Sequence, residues 1–139
     1  MAMTFEKIFN PTPFRRLWKR LFPSKEMRAY RKMYRRHRSE MVKLAKKVRE
    51  WDYCWIDELV LTQIKHMYEY FSAGNNVWQT DETRLPIIEQ LKHVLDLYDE
   101  MDNLWGSSTM DYGQALKREL ELYKEIYGYI GAHLKEWWD

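Results

Sequence analysis

Helix-breaking residues are scarce in this chain: five glycines and four prolines in 139 residues. A protein with so few turn formers spends most of its length in long regular elements, and no alternating apolar and polar run suggests strands. There is a single cysteine, Cys54. That excludes an internal disulfide framework and fits a reducing compartment, with Cys54 expected to be a small buried hydrophobe. No segment approaches the roughly 18 uncharged apolar residues of a spanning helix. The first residues, MAMTFEKIFNPTPF, place acid and base within seven positions and lack an apolar stretch before a small-residue cleavage site, so no secretory signal is expected. A soluble protein in a cytoplasm is the expectation.

Metal and phosphate motifs are missing too. The positions three before His37, His66, His93 and His133 are Tyr34, Gln63, Gln90 and Ile130, so no Glu-x-x-His pair of a di-metal bundle exists. No two histidines stand three or four apart, and one cysteine cannot build a zinc site. There is no glycine-rich phosphate loop; Gly128 and Gly131 fall inside a helical pattern and read as close-packing positions.

Aromatic bulk and an uneven charge are what the chain does have: seven Trp, ten Tyr and eight Met accompany a formal net charge of +2. That small net charge conceals a bipolar molecule. Sixteen of the 23 basic residues lie in the first 50 positions beside four acids, an excess of twelve positive charges, while the remainder carries seven bases against seventeen acids. Asymmetry of this size points to a polyanionic partner or to one half binding the other.

Length suits one domain preceded by an arm. Pro11, Pro13 and Pro23 punctuate the arm, residues 1–23, and isolate the segment Phe14 to Phe22, in which Phe14, Leu17, Trp18, Leu21 and Phe22 share one helical face and Arg15, Arg16, Lys19 and Arg20 the other. So short an amphipathic segment reads first as an arm packed on its own domain, then as a ligand for a partner groove, and last as a membrane-surface contact. Residues 24–139 read as the bundle domain. Ser24 offers an N-cap, and Met27, Tyr30, Tyr34, His37, Met41, Leu44, Val48 and Trp51 recur at threes and fours, a heptad seam about 40 Å long if helical to Glu50.

Asp52 caps a second expected helix running to about Phe71 and ended by Gly74, Asn75 and Asn76, with Trp55, Ile56, Leu59, Val60, Ile64, Met67, Tyr68 and Phe71 on its apolar face. A third starts at Thr80 or Thr83. Pro86 favours the later start, because proline is tolerated best in a first turn. Its seam is Ile88, Leu91, Leu95, Tyr98 and Trp105, and the last helix repeats the spacing at Leu116, Leu120, Tyr123, Tyr127, Ile130, Leu134 and Trp137. The expected fold class is all-α: an antiparallel helical bundle with long heptad-patterned helices and a basic N-terminal arm.

The segment WDYCWIDELVLTQIKHMYEYF from Trp51, the acidic stretch DETRLPIIEQLKHVLDLYDEM and the terminal EWWD resemble a diffuse group of small uncharacterised tailed-bacteriophage proteins. The shared features are an Asp-aromatic helix start, a mid-chain acidic helix and a final Trp-Trp-Asp, over roughly residues 51–139. The resemblance implies a viral origin and expression in a bacterial cytoplasm; it implies no activity, and the basic third lies outside it.

Glu89 with His93, and His66 with Glu69, share helix faces and are the acid/base candidates, but such pairs arise by chance in charged helices. Ser107, Ser108 and Thr109 have no His or Asp close in sequence to activate them. No catalytic residue, metal ligand or cofactor is assigned, and no enzyme is expected. The strongest signal is the basic aromatic helix. Arg28, Arg31, Arg35, Arg36, Arg38, Lys43, Lys46 and Lys47 are the anion-binding candidates, with Tyr30, Tyr34 and Trp51 to stack on bases and Arg15, Arg16, Trp18, Lys19 and Arg20 in the arm. The competing reading pairs those charges with Glu119, Glu121 and Glu125 of the acidic half. The expected partner is nucleic acid or an anionic host nucleoprotein complex, with inhibition of a host defence as one use, and homo-oligomerisation is expected because so long a seam is hard to cover from within. Two other classes stay open: a sponge for a small nucleotide signal at a subunit junction, and a virion or assembly component.

Overall fold

A computed structural model of the protein describes residue 17 and residues 20–50, 52–74, 80–106 and 109–137. Among these residues the structure is all helical: α1 (Lys25–Ala45), α2 (Tyr53–Ser72), α3 (Asp81–Leu104), α4 (Tyr112–His133) and a closing 3-10 turn, Leu134–Glu136. None of these helices is long and apolar enough to cross a membrane. The chain divides into two compact units, Met1–Glu40 and Met41–Asp139.

In the first unit the expected cap is present, the Met27 amide donating to Ser24 Oγ at 3.1 Å. α1 stops at Ala45, short of Glu50, and so spans about 30 Å. Its end tightens through Lys47 N–H to Leu44 C=O and Val48 N–H to Ala45 C=O. Every side chain from Ala45 to Glu50 is exposed, so no packing offsets the entropy of ordering another turn. Leu44 is the one buried residue of α1; Tyr30, His37 and Met41 are half-buried, while Met27, Tyr34 and Val48 are exposed. Leu17, Arg20, Leu21 and Phe22 are exposed as well, and Arg15, Arg16, Trp18, Lys19 and Trp51 lie outside the described residues.

The second unit holds the core. α3 lies at its centre, packing against both α2 and α4. Ile87, Leu91, Val94, Tyr98 and Met101 bury one stripe of α3 at fours and threes, and they meet Ile64 and Phe71 of α2, Leu122 and Ile126 of α4, and Trp137. Asp52 caps α2 as expected, accepting the Cys54 amide at 3.0 Å. Gly74 ends α2 at φ +71°, a left-handed conformation that favours glycine.

α3 starts at Asp81, the earlier of the two expected starts, and Pro86 sits inside the helix one turn further on. Arg84 anchors this early start. Its Nη1 donates to the Phe71 carbonyl at 2.8 Å, satisfying an end group of α2, while Nη2 pairs with Asp81 at the same distance. A cation on the carbonyl end of one helix and an acid in the first turn of the next both follow the helix dipole. The 3-10 turn is latched to α3 by Trp137 Nε1 donating to Gln90 Oε1 at 2.7 Å and Gln90 Nε2 donating to Glu136 at 2.9 Å. Gln90, followed by His133, holds the Glu136 carboxyl below the usual range.

Several expected inward positions face solvent: Ile56 of the expected α2 face and Trp105 of the expected α3 seam are exposed. The buried stripe of α4 is Ala115, Leu122 and Ile126, whereas Leu116, Leu120, Tyr127 and Leu134 of the expected seam are exposed. A Cβ at Gly128 or Gly131 meets nothing within 4 Å, so neither is a close-packing position in this chain. Cys54 is exposed, because it follows the Asp52 cap in the open first turn of α2, and the Asp52 carboxylate beside it pushes its thiol up.

Candidate functional site

The basic candidates form a continuous display along α1. Arg28, Arg31, Arg35, Arg36, Arg38 and Lys43 are all exposed on the helix, and Lys46 and Lys47 follow in the turn after it. Arg36 has Glu40 at 3.8 Å, an i,i+4 pair in open solvent that contributes about 0–1 kcal/mol. Among the described residues, no acid stands within ion-pair distance of Arg31, Arg35, Arg38 or Lys43. Arg35 Nε instead donates to the Arg31 carbonyl at 3.3 Å, which leans its head along the helix. Tyr30 and Tyr34 lie nearly parallel, 6.3 Å between centroids and 22° between planes, with Tyr34 53% exposed. A row of guanidiniums beside a solvent-facing phenol has the chemistry to neutralise phosphates and stack on a base.

Several acids of the second unit have local partners. Glu100 and Glu121 both take Arg118, at 2.6 and 3.6 Å, and Glu119 accepts Trp105 Nε1 at 3.3 Å.

His93 packs its ring 4.6 Å from that of Tyr129, and among the described residues no hydrogen bond joins it to Glu89. His66 is buried on α2. Ser107 and Ser108 lie outside the described residues, and Thr109 is exposed. Among the described residues no three His, Cys, Asp or Glu side chains gather as a metal set would require.

A polar cluster outside the expected sites gathers on α2. Asp57, one turn into α2, accepts three phenols from two other helices: Tyr98 of α3 and Tyr127 of α4 each donate to Oδ1 at 2.8 Å, and Tyr123 of α4 donates to Oδ2 at 3.4 Å. Burial, then the Asp57 carboxylate, raises all three phenols above the ordinary tyrosine value of 10.0; Tyr127 is pushed up to about 12. Beside this knot opens a pocket of about 300 Å³ lined by Tyr53, Ile56, Asp57, Leu120, Tyr123 and Tyr127. Asp57 has no family of spaced acids around it, and tyrosine counts as apolar in a helical pattern. The one sequence signal was an acid at position 57 between the apolar positions Ile56 and Leu59.

No family model matches the chain, and no curated protein or solved structure matches it.

Proposed function

We propose that this chain is a non-enzymatic, phage-encoded binding protein whose basic α1 surface captures an anionic partner, nucleic acid or a nucleic-acid-bearing host complex, as an inhibitor of a host defence would. The single observation that carries the reading is the exposed row Arg31, Arg35, Arg38 and Lys43, without an acid in ion-pair reach among the described residues. Uncompensated charge of one sign along a helix face costs self-repulsion, and a polyanion relieves it while releasing its own counterions. Tyr34 adds a stacking surface on the same helix. The reading includes consecutive helices that run antiparallel along heptad seams, a bacterial cytoplasmic setting, and self-association through the exposed apolar positions of α1 and α4, and it needs no cofactor.

The test is a triple reversal, Arg31, Arg35 and Arg38 to Glu, with DNA and RNA oligomers titrated at two salt concentrations beside thermal melts. The parent protein is expected to bind with steep salt dependence, and the variant to lose that binding and to flatten the slope by about 0.9 for each phosphate contact removed, at an unchanged melting temperature. Unchanged binding together with a lower melting temperature that recovers in high salt would mean that the bases serve the protein's own acids, and the reading would fail.

A further inference from the structure

We infer that the pocket beside Asp57 is a binding site for an organic cation, an alkyl guanidinium or alkylammonium group. It is lined wholly by residues of α2 and α4, none of them a basic candidate of the α1 surface.

The argument starts from the two oxygens of Asp57. Oδ1 is occupied by two phenols at 2.8 Å each, whereas Oδ2 has Tyr123 alone, and at 3.4 Å. A carboxylate oxygen accepts two hydrogen bonds, so Oδ2 keeps capacity for an incoming N–H donor. The three phenols orient the carboxylate but are neutral donors, and among the described residues no Lys, Arg or His lies within ion-pair distance of it. A carboxylate facing an apolar pocket without a countercharge favours a cation from outside.

The walls suit the same ligand. Tyr123 and Tyr127 stack 6.4 Å apart with 18° between their planes, and with Tyr53 they line the pocket with aromatic rings that attract cations. Ile56 and Leu120 complete it and stand 63% and 56% exposed, an apolar surface for an alkyl stem at an open mouth. About 300 Å³ is the small end of ligand pockets, room for one head group and a short stem. Other ligand classes fit less well. An anion meets Asp57, with Glu119 and Asp52 also raising the Tyr123 and Tyr53 phenols nearby. A neutral apolar ligand strips water from the carboxylate and returns nothing, and a hard metal ion wants several oxygen ligands where one carboxylate is on offer.

The test titrates the intact protein with butylguanidinium, following tyrosine ring resonances by NMR, with butanol and butyrate as neutral and anionic controls. Saturable shifts of Tyr53, Tyr123 and Tyr127 are expected for butylguanidinium, with butanol about tenfold weaker and butyrate silent. Asp57→Asn keeps an acceptor and removes the charge, and is expected to weaken butylguanidinium about tenfold. Tyr53→Ala alters a side chain that is 68% exposed, so it leaves the fold intact and should weaken binding several-fold even if the Asp57 variant unfolds. A capped peptide with one arginine identifies the source: tighter binding than butylguanidinium marks a protein side chain as the ligand, and equal or weaker binding marks a free small cation. Absence of saturable shifts, butanol binding as well as butylguanidinium, or full affinity in Tyr53→Ala and in a folded Asp57→Asn would overturn the proposal.

Discussion

α1 and the α2–α4 unit show the same spacing of apolar residues and use it differently. In α3 the threes and fours mark a stripe that is almost wholly buried, from Ile87 to Met101. In α1 the same rhythm leaves Met27 and Tyr34 exposed and buries Leu44 alone. Periodicity therefore reports that a segment is an amphipathic helix. It does not report what covers the face. For α3 the cover comes from its own neighbours in sequence; for α1 the seam stays exposed at Met27 and Tyr34 and half-buried at Tyr30, His37 and Met41.

The sharpest way to break this contrast is to delete side chains from each stripe. Leu91→Ala, at a site with no exposure, is expected to cost about 2–5 kcal/mol and to lower the melting temperature by many degrees. Tyr34→Ala on the exposed face of α1 should change stability by no more than about 0.5 kcal/mol. Equal losses in urea melts of the two variants would show that α1 is as deeply packed as α3.

A smaller effect is expected at Asp57. Asp57→Ala leaves the buried Tyr98 hydroxyl without its acceptor, at a cost of about 1–3 kcal/mol. The same cluster sets an alkaline limit. A phenol whose folded pKa is raised stabilises the folded state below its ordinary value of 10.0, and that contribution is lost as the pH rises through about 12, where Tyr127 titrates. Alkaline unfolding should therefore coincide with late tyrosinate absorbance. In Asp57→Ala, burial remains but the carboxylate is gone, so the late phenols should titrate earlier.

The smallest effects distinguish the two caps. Ser24 and Asp52 each hold an amide of a following first turn. Asp52→Ala should lower global stability by about 1 kcal/mol. Ser24→Ala should instead fray the start of α1, seen as faster amide exchange near Met27 with little change in the melting temperature. A fall in melting temperature as large as that of Asp52→Ala would place the start of α1 inside the cooperative unit.

The elements and their caps were legible because Ser24, Asp52 and Gly74 act on backbone groups within a few residues of themselves. The start of α3 was misplaced. Pro86 argued for a later first turn, and the anchoring of Arg84 on the Phe71 carbonyl, thirteen residues back, has no local signature. The phase of α4 was misread for a related reason: Leu116, Leu120, Tyr123 and Tyr127 satisfy the spacing as well as Ala115, Leu122 and Ile126 do, and alanine attracts less notice than leucine. The exposed bases of α1 could be read because charge density is a property of composition. The Asp57 cluster could not be, since its partners come from helices far along the chain and each hides a polar tip on an aromatic body.

That distance has a kinetic side. Asp57 is 41 residues from Tyr98, 66 from Tyr123 and 70 from Tyr127, so its hydrogen bonds to α4 close long loops. The α2–α3 hairpin can assemble across one short connection, with Arg84 on the Phe71 carbonyl as a local clasp, whereas Tyr123 and Tyr127 reach Asp57 after α4 has docked. The carboxylate thus gains its full set of donors only once α4 is in place, and an opening that lifted α4 away would break its bonds to Tyr123 and Tyr127 while sparing the one to Tyr98.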